Sequence, residues 1–241
     1  MQKIRYAFQR IILGLCVLLC YSCSGRIDGV LRERGSAELS LELSLQPRMA
    51  ALIQSLAAFS GSGASAGGPL IDGPAVARSL GAAPGGVSAE LRNTSPSAVA
   101  GTIRIAQCKD FLAIPEKQSG TPFIQYDPAG RAVISLDRQS GPRLMALISP
   151  EAGDYLSALM APLATGEQLT KEEYLALIRS VYRQAMLADE IAASQVLVTL
   201  TFPRPIKSIR GGTFQGAKAQ FNIPALDFLV LERPLVYEVT W

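Results

Sequence analysis

Residues 38–45 alternate strictly between leucine and polar side chains, and this pattern constrains the fold more than any other feature of the sequence. Leu39, Leu41, Leu43 and Leu45 fall on one side, with glutamate and serine between them. Side chains of a strand point alternately to its two faces, so the pattern predicts a strand with one face buried and one in water. Residues 196–202 and 235–241 alternate in the same way.

Amphipathic helices are expected to cover the buried face of such a sheet. Pro47 suits the first turn of a helix over residues 49–59, because its missing N–H would be unpaired there. Thr170 and Glu173 have the spacing of a capping box, which predicts a helix from there to about Ala192. The predicted apolar stripe of this helix is Tyr174, Leu177, Ile178, Val181, Ala185 and Ala188, with Glu172, Arg179, Arg183 and Glu190 on the other side.

The sequence therefore predicts an α+β fold with a mixed or antiparallel sheet packed against amphipathic helices. The expected organisation is a signal peptide over residues 1–22, a lipid-proximal tether over 23–34, and an α+β domain over 35–241. A loop rich in Gly, Ser and Pro is predicted near residues 60–74. Further strands are predicted at 102–106, 131–136 and 217–223, a short helix at 75–80, and a helix start at Ser149-Pro150-Glu151.

Residues 35–53 and 130–148 resemble each other without a gap, with nine of 19 positions identical. Each copy has a strand pattern, then Pro-Arg, then the start of an apolar helix. Duplication of a β–α unit and convergence by composition both account for this. Arg48 and Arg143 would lie in a first helical turn, where a cation opposes the helix dipole. Each would then either meet a partner, such as an acid or a lipid headgroup, or be solvated.

The N-terminal segment has the marks of a removable export signal. Lys3, Arg5 and Arg10 precede an apolar run over residues 11–19, which is too short to span a bilayer. Ser22 and Cys23 then resemble the cleavage site of bacterial lipoproteins, in the loosened form of spirochaete lipoproteins. Cys20 stands where leucine is usual, and Leu19 lies one residue further back.

This resemblance implies that Cys23 carries acyl chains such as palmitate. It also implies an exported chain held on the inner or the outer membrane of a bacterium, facing the periplasm or the cell surface. The alternative is an ordinary cleaved signal followed by a cysteine without a role.

Removal of residues 1–22 changes the charge balance and the cysteine count. The chain has 23 Lys and Arg against 20 Asp and Glu, and the signal holds three of the bases and none of the acids. The remainder is neutral, which gives no electrostatic reason to expect a nucleic-acid partner. With Cys23 acylated, Cys108 is the one thiol left, and it is predicted to be buried.

The residue types argue against most catalytic sites. The chain has no histidine, which excludes Ser-His-Asp and Cys-His activation and histidine metal sites. Gly63-Ala64-Ser65-Ala66-Gly67 fits a nucleophile motif but lies in the glycine-rich loop. The acids Asp110, Asp137 and Asp154 leave a two-carboxylate hydrolase formally open. We predict no catalytic, cofactor or metal site.

The segment over residues 196–241 contains Thr201-Phe202-Pro203, Ile206-Lys207-Ser208, Gly211-Gly212, Gly216 and Phe221. This combination resembles the LppM-like domain of bacterial lipoproteins. Arg204 departs from the usual glycine, and the membrane helix of many members does not follow Trp241. The resemblance implies an α+β envelope module that binds lipid or another envelope component.

Three functions follow from the sequence. A non-enzymatic binding module for a lipid or amphiphile predicts an apolar cavity between the sheet and the Tyr174–Ala188 helix. A structural or interaction lipoprotein, with a protein partner, predicts a solid core and an exposed apolar patch. A carboxylate hydrolase requires two acids facing each other in a cleft.

Overall fold

The computed structural model describes residues 23–60, 69–112, 124–138, 140, 168–182 and 185–241. The predicted signal peptide, residues 61–68 of the glycine-rich loop, the nucleophile-like motif, Arg143 and the Ser149–Glu151 helix start lie outside these residues. In chain order the elements are β1 Cys23–Leu31, β2 Ala37–Ser44, α1 Pro47–Ser60, α2 Gly73–Gly81, β3 Val87–Ser95, β4 Ala98–Ile105, α3 Cys108–Leu112, β5 Ile124–Asp127, β6 Arg131–Leu136, α4 Lys171–Tyr182, α5 Ala185–Ala193, β7 Gln195–Thr201, β8 Ser208–Arg210, β9 Thr213–Gln215, β10 Lys218–Pro224, α6 Ala225–Val230 and β11 Leu235–Thr240.

The described strands form two sheets. Seven strands follow the order β3-β4-β2-β1-β7-β10-β9, and four follow the order β5-β6-β11-β8. The first sheet is mixed because β1 and β7 run parallel while its other pairs are antiparallel. The second sheet is antiparallel throughout. The predicted α+β class is confirmed.

The tether predicted over residues 23–34 is wrong, because Cys23–Leu31 is strand β1 in the interior of the seven-stranded sheet. This strand pairs with β2 on one side and with β7 on the other. Two of its buried positions are Gly25 and Gly29, where side chains of Leu43 and Leu39 lie close to the backbone. Glycine at these positions weakens the apolar alternation that would have indicated a strand.

The helix predicted from Thr170 to about Ala192 is replaced by α4 and α5, because α4 ends at Tyr182 and α5 begins at Ala185. The capping box is confirmed: Thr170 N donates to Glu173 Oε2 at 2.8 Å, and Glu173 N donates to Thr170 Oγ1 at 3.2 Å. Tyr174, Ile178 and Ala188 are buried as predicted. Leu177 and Val181, however, are 40% and 60% exposed.

The helices enclose an apolar core. Its buried members are Met49, Leu52, Ile53, Leu136, Tyr174, Ile178, Leu187, Ala188, Ile191, Leu229, Val230 and Leu231. These residues come from α1, α4, α5 and β6, and from α6 with the residue that follows it. Burial raises the pKa of the Tyr174 hydroxyl, since a charged phenolate would lose its hydration here.

The two sheets meet around Trp241, which is 2% exposed. Its ring lies 4.7 Å from that of Phe202, which follows β7, and 6.2 Å from that of Tyr126 in β5. Phe221 and Val239 complete the contact from β10 and β11. Gly211 and Gly212 stand where the chain passes from β8 in the small sheet to β9 in the large one. The motif residues of the C-terminal segment therefore lie in this core or at its turns.

The similarity between residues 35–53 and 130–148 has a structural counterpart in its first half. Gly35 N donates to Arg32 O at 2.9 Å and Gly130 N donates to Asp127 O at 3.0 Å, so both copies begin as a hairpin turn before a strand. Both glycines have positive φ. The second half of the later copy lies largely outside the described residues, and duplication stays a hypothesis.

Arg48 has the acidic partner that its place in a first helical turn suggested. Its Nη1 atom lies 2.7 Å from Glu190 Oε1. The other carboxylate oxygen of Glu190 accepts hydrogen bonds from Arg48 N at 3.0 Å and Met49 N at 3.3 Å. The prediction that Glu190 lies on the solvated side of its helix is wrong, because this carboxylate caps the N-terminus of α1.

Candidate functional site

An open groove of about 830 Å³ crosses the polar face of the seven-stranded sheet. Its lining residues are Gly25, Arg26, Glu42, Ser44, Gln195, Leu197, Gly211, Gly212, Thr213, Gln220 and Asn222. The glutamate and serine side chains of the β2 alternation point to this face, where Ser40, Glu42 and Ser44 are exposed. The leucines of β2 therefore face the core, and its polar residues face the groove on the other side of the sheet.

Strand register brings these side chains into rows across the sheet. Arg26 lies opposite Glu42 on one side and Leu197 on the other. Leu197 in turn lies opposite Asn222, so one row runs through β2, β1, β7 and β10. Gln220 and Thr213 are partners in the neighbouring pair of β10 and β9. Directly opposed residues have Cβ atoms about 5 Å apart, which allows one ligand to contact several of them.

The groove has one cation and one carboxylate among its lining side chains. The cation is Arg26, whose Nε lies 2.6 Å from Asp28 Oδ2 on the same strand. The carboxylate is Glu42, directly across from Arg26. Beside the groove on the same face, Arg104 pairs with Glu38 at 3.4 Å and with Glu90 at 3.6 Å. These ion pairs are exposed and contribute little to stability.

The chemistry available in the groove is that of hydrogen bonding. Each amide of Gln220 and Asn222 offers two donors and an acceptor, and the hydroxyls of Ser44 and Thr213 offer both. The described residues contain no group of three or more side chains able to hold a metal ion. Among the lining residues Glu42 is the single acid, so the facing pair that a carboxylate hydrolase requires is not formed there.

Cys23, the predicted lipidation site, lies at one end of this groove. It is the first residue of β1, and its backbone is paired with Gln195, which lines the groove. The predicted acyl position and the polar site are thus adjacent. None of the helices in the described part of the chain has the length and apolarity needed to cross a bilayer.

The apolar cavity predicted beside the Tyr174–Ala188 helix stays a prediction, and the groove lies elsewhere, on the polar face of the large sheet. Tyr174, Ile178 and Leu187 belong to the helical core. Cys108 is buried as predicted, and burial raises the pKa of its thiol. The groove residues were missed in the sequence because they come from five strands whose order in the sheet differs from their order in the chain. The polar positions of β2 and β10 alternate visibly, but they do not indicate which strands are neighbours.

Comparison with known proteins gives weak likenesses only. No protein-family model matches the chain, and no curated protein matches it. The folded domain of LppM from Mycobacterium tuberculosis is similar with a TM-score of 0.36 and 10% identity, over 90% of this chain and 88% of that one. An aminopeptidase N family protein from Idiomarina loihiensis has a TM-score of 0.27 and 9% identity, over 90% of this chain and 29% of that one.

At these TM-scores neither likeness assigns an activity to the chain. The spirochaete character of the N-terminal segment finds no support in either likeness.

Proposed function

We propose that the chain is a cell-envelope lipoprotein, anchored through acyl chains on Cys23, that acts as a non-enzymatic binding module. The anchor is supported by the basic and apolar segments before Ser22 and Cys23. Two or more acyl chains give stable membrane attachment, because each buried CH₂ contributes about 0.8 kcal/mol.

The anchor is tested by radiolabelled palmitate in a bacterial host. Cys23→Ser abolishes labelling and moves the protein from the membrane to the soluble fraction. Cys108→Ala is the matched control, since it removes a buried thiol and leaves labelling unchanged. Labelling that persists in Cys23→Ser would show that the chain is not acylated at this position.

The groove on the polar face carries the binding proposal. Its hydrogen-bonding side chains are held by paired strands, which keeps donors and acceptors in place before a ligand arrives. Arg26 and Glu42 face each other across β1 and β2, so a ligand bearing both a negative and a positive group can meet one partner on each strand. The headgroup of phosphatidylethanolamine, with a phosphate and an ammonium, has this chemistry.

The lining suits the polar part of an amphiphile and not its acyl chains, because Leu197 is the one large apolar side chain of the groove. Two probes separate these parts: glycerophosphoethanolamine, which has no acyl chains, and dihexanoyl phosphatidylethanolamine. Both shift the side-chain amide NMR signals of Gln195, Gln220 and Asn222 to similar extents.

The variant Asn222→Ala weakens both titrations severalfold, because one amide leaves the row. Gln125→Ala is the control, as it removes an exposed amide from β5 in the other sheet. Shifts seen with the acylated probe alone, or centred on the helical core around Tyr174, would contradict a headgroup site in the groove. If neither probe shifted these signals, the phosphatidylethanolamine headgroup would be excluded as the ligand.

Exposed apolar side chains on α4 and α5 favour a second candidate, an interaction lipoprotein. Leu177, Val181 and Met186 are 40%, 60% and 58% exposed. A photo-crosslinking amino acid at Val181 then yields adducts in cells, whereas one at Glu172, an exposed acid of the same helix, does not. Equal yields of adducts at the two positions would argue against a partner bound to this face of α4 and α5.

A further inference from the structure

The strand ends that surround Cys23 carry no charged residue. Register places the end of β2 beside the start of β4, and the start of β7 beside the end of β10. We call these strand ends and the turns that continue them the near rim. It consists of residues 44–47, 94–98, 192–195 and 223–225, which are Ser-Leu-Gln-Pro, Thr-Ser-Pro-Ser-Ala, Ala-Ala-Ser-Gln and Ile-Pro-Ala.

The opposite end of the same sheet, the far rim, is rich in charge. Its exposed charged residues are Arg32, Glu33, Arg34, Lys109, Asp110, Arg204, Lys207 and Lys218. The nine residues of β1 separate the two ends by about 27 Å, at roughly 3.3 Å per residue. The two rims therefore differ in chemistry and lie at opposite ends of one strand.

Two charged side chains that lie close to the near rim are engaged within the fold. Arg48 pairs with Glu190 at 2.7 Å, and Asp72 Oδ1 accepts a hydrogen bond from Ala75 N at 3.0 Å at the start of α2. Charged groups lose hydration when they approach the hydrocarbon region, whereas uncharged polar and apolar residues lose much less.

We infer that the near rim rests directly on the bilayer surface, with the far rim pointing away from it. This inference rests on the proposed acylation of Cys23. Because β1 begins at that residue, no linker separates the acyl chains from the sheet. An anchored domain without a linker keeps one end at the membrane, and among the described residues the strand ends and turns of the near rim, beside Cys23, are uncharged. The groove then opens beside the headgroups.

The inference is tested with the full chain, processed in a bacterial host and reconstituted into phosphatidylethanolamine and phosphatidylglycerol vesicles. An environment-sensitive fluorescent amino acid replaces Thr94 on the near rim or, as matched control, Glu33 on the far rim; both positions are exposed. Nitroxide lipids labelled near the headgroup quench the probe at 94 severalfold more than the probe at 33.

Equal quenching at the two positions, or stronger quenching at 33, would overturn the orientation. The second result would mean that the basic far rim is drawn to the anionic lipid. Palmitate labelling of the same protein reports the anchor separately, so an acylated chain with an unquenched probe at 94 contradicts the orientation alone. If Cys23 proves unacylated, its thiol is coupled to a maleimide lipid in the vesicles and the same comparison decides the orientation.

Discussion

At the scale of single residues, Glu190 joins α5 to α1 by accepting two backbone N–H groups and pairing with Arg48. Its side chain is 15% exposed, so water can replace few of the hydrogen bonds that are lost when Glu190 is substituted. Glu190→Gln is expected to lower the free energy of unfolding by about 2 kcal/mol, the scale of hydrogen bonds to a charged group. Urea denaturation measures this.

The matched control is Asp189→Asn, the neighbouring acid in α5. Asp189 is 68% exposed and pairs with Arg179 at 3.3 Å, so its removal is expected to change stability by less than about 0.5 kcal/mol. Similar losses in the two variants would mean that the cap of α1 contributes little.

Glu173 gives a residue-scale prediction for pH. The Thr170 N–H first, and the Thr170 hydroxyl second, hold the pKa of Glu173 below its ordinary value of 4.5. A depressed folded-state pKa adds stability that is complete above the unfolded value and is lost as the pH falls through the folded one. The contribution of this cap is therefore complete above pH 4.5 and is lost as the pH falls through the lowered pKa of Glu173. In an NMR titration, Thr170→Ala raises the pKa of Glu173 but leaves it below 4.5, since the larger backbone contribution stays. A pKa unchanged by this substitution would contradict the hydroxyl contact.

At the scale of elements, the turn between β8 and β9 depends on Gly211. Its φ is +80°, and a Cβ there would lie 2.6 Å from the backbone oxygen of Val236. Gly216 has a similar φ of +58° but open space around it. Gly216→Ala is expected to lower the free energy of unfolding by about 1 kcal/mol, because alanine is strained at a positive φ. Gly211→Ala is expected to lower it by about 1–3 kcal/mol more, because the new Cβ would also lie too close to the backbone oxygen of Val236. Equal losses in urea denaturation would show that the contact relaxes without cost.

Elements with a clear period were predicted from the sequence, and elements without one were not. β6 has its predicted bounds, and β2, α1 and the capped start of α4 were found from alternation, proline and Thr170. Strand β1 was missed because Gly25 and Gly29 occupy buried positions, and β3 because it follows a glycine-rich stretch. The sequence predicted one helix where the structure has α4 and α5, because apolar residues keep a helical spacing from Tyr174 to Ala188.

At the scale of the whole molecule, the candidate site was beyond sequence reasoning for a topological reason. The polar residues of β2 and β10 could be assigned to an outer face, but their meeting requires β1 to lie beside β7. That parallel pair joins strands more than 160 residues apart in the chain. Cys23 was predicted as a lipidation site from its local context, whereas its place at the end of the groove depends on the same pairing.

The core around Trp241 couples the two sheets, and this coupling can be measured. Phe202 follows a strand of the large sheet, Trp241 follows a strand of the small one, and their rings are 4.7 Å apart. Phe202→Ala is expected to lower the free energy of unfolding by about 3–5 kcal/mol, through lost burial and the cavity left behind.

Trp241 is the single tryptophan of the chain, so its fluorescence reports this contact while far-UV circular dichroism reports the whole molecule. Because Trp241 packs against residues of both sheets, the two urea transitions are expected to move together. Phe214→Ala, which removes a 45% exposed ring from β9, is the control and leaves both nearly unchanged. A fluorescence transition that moves while the circular dichroism transition stays in place would mean that the sheets unfold independently.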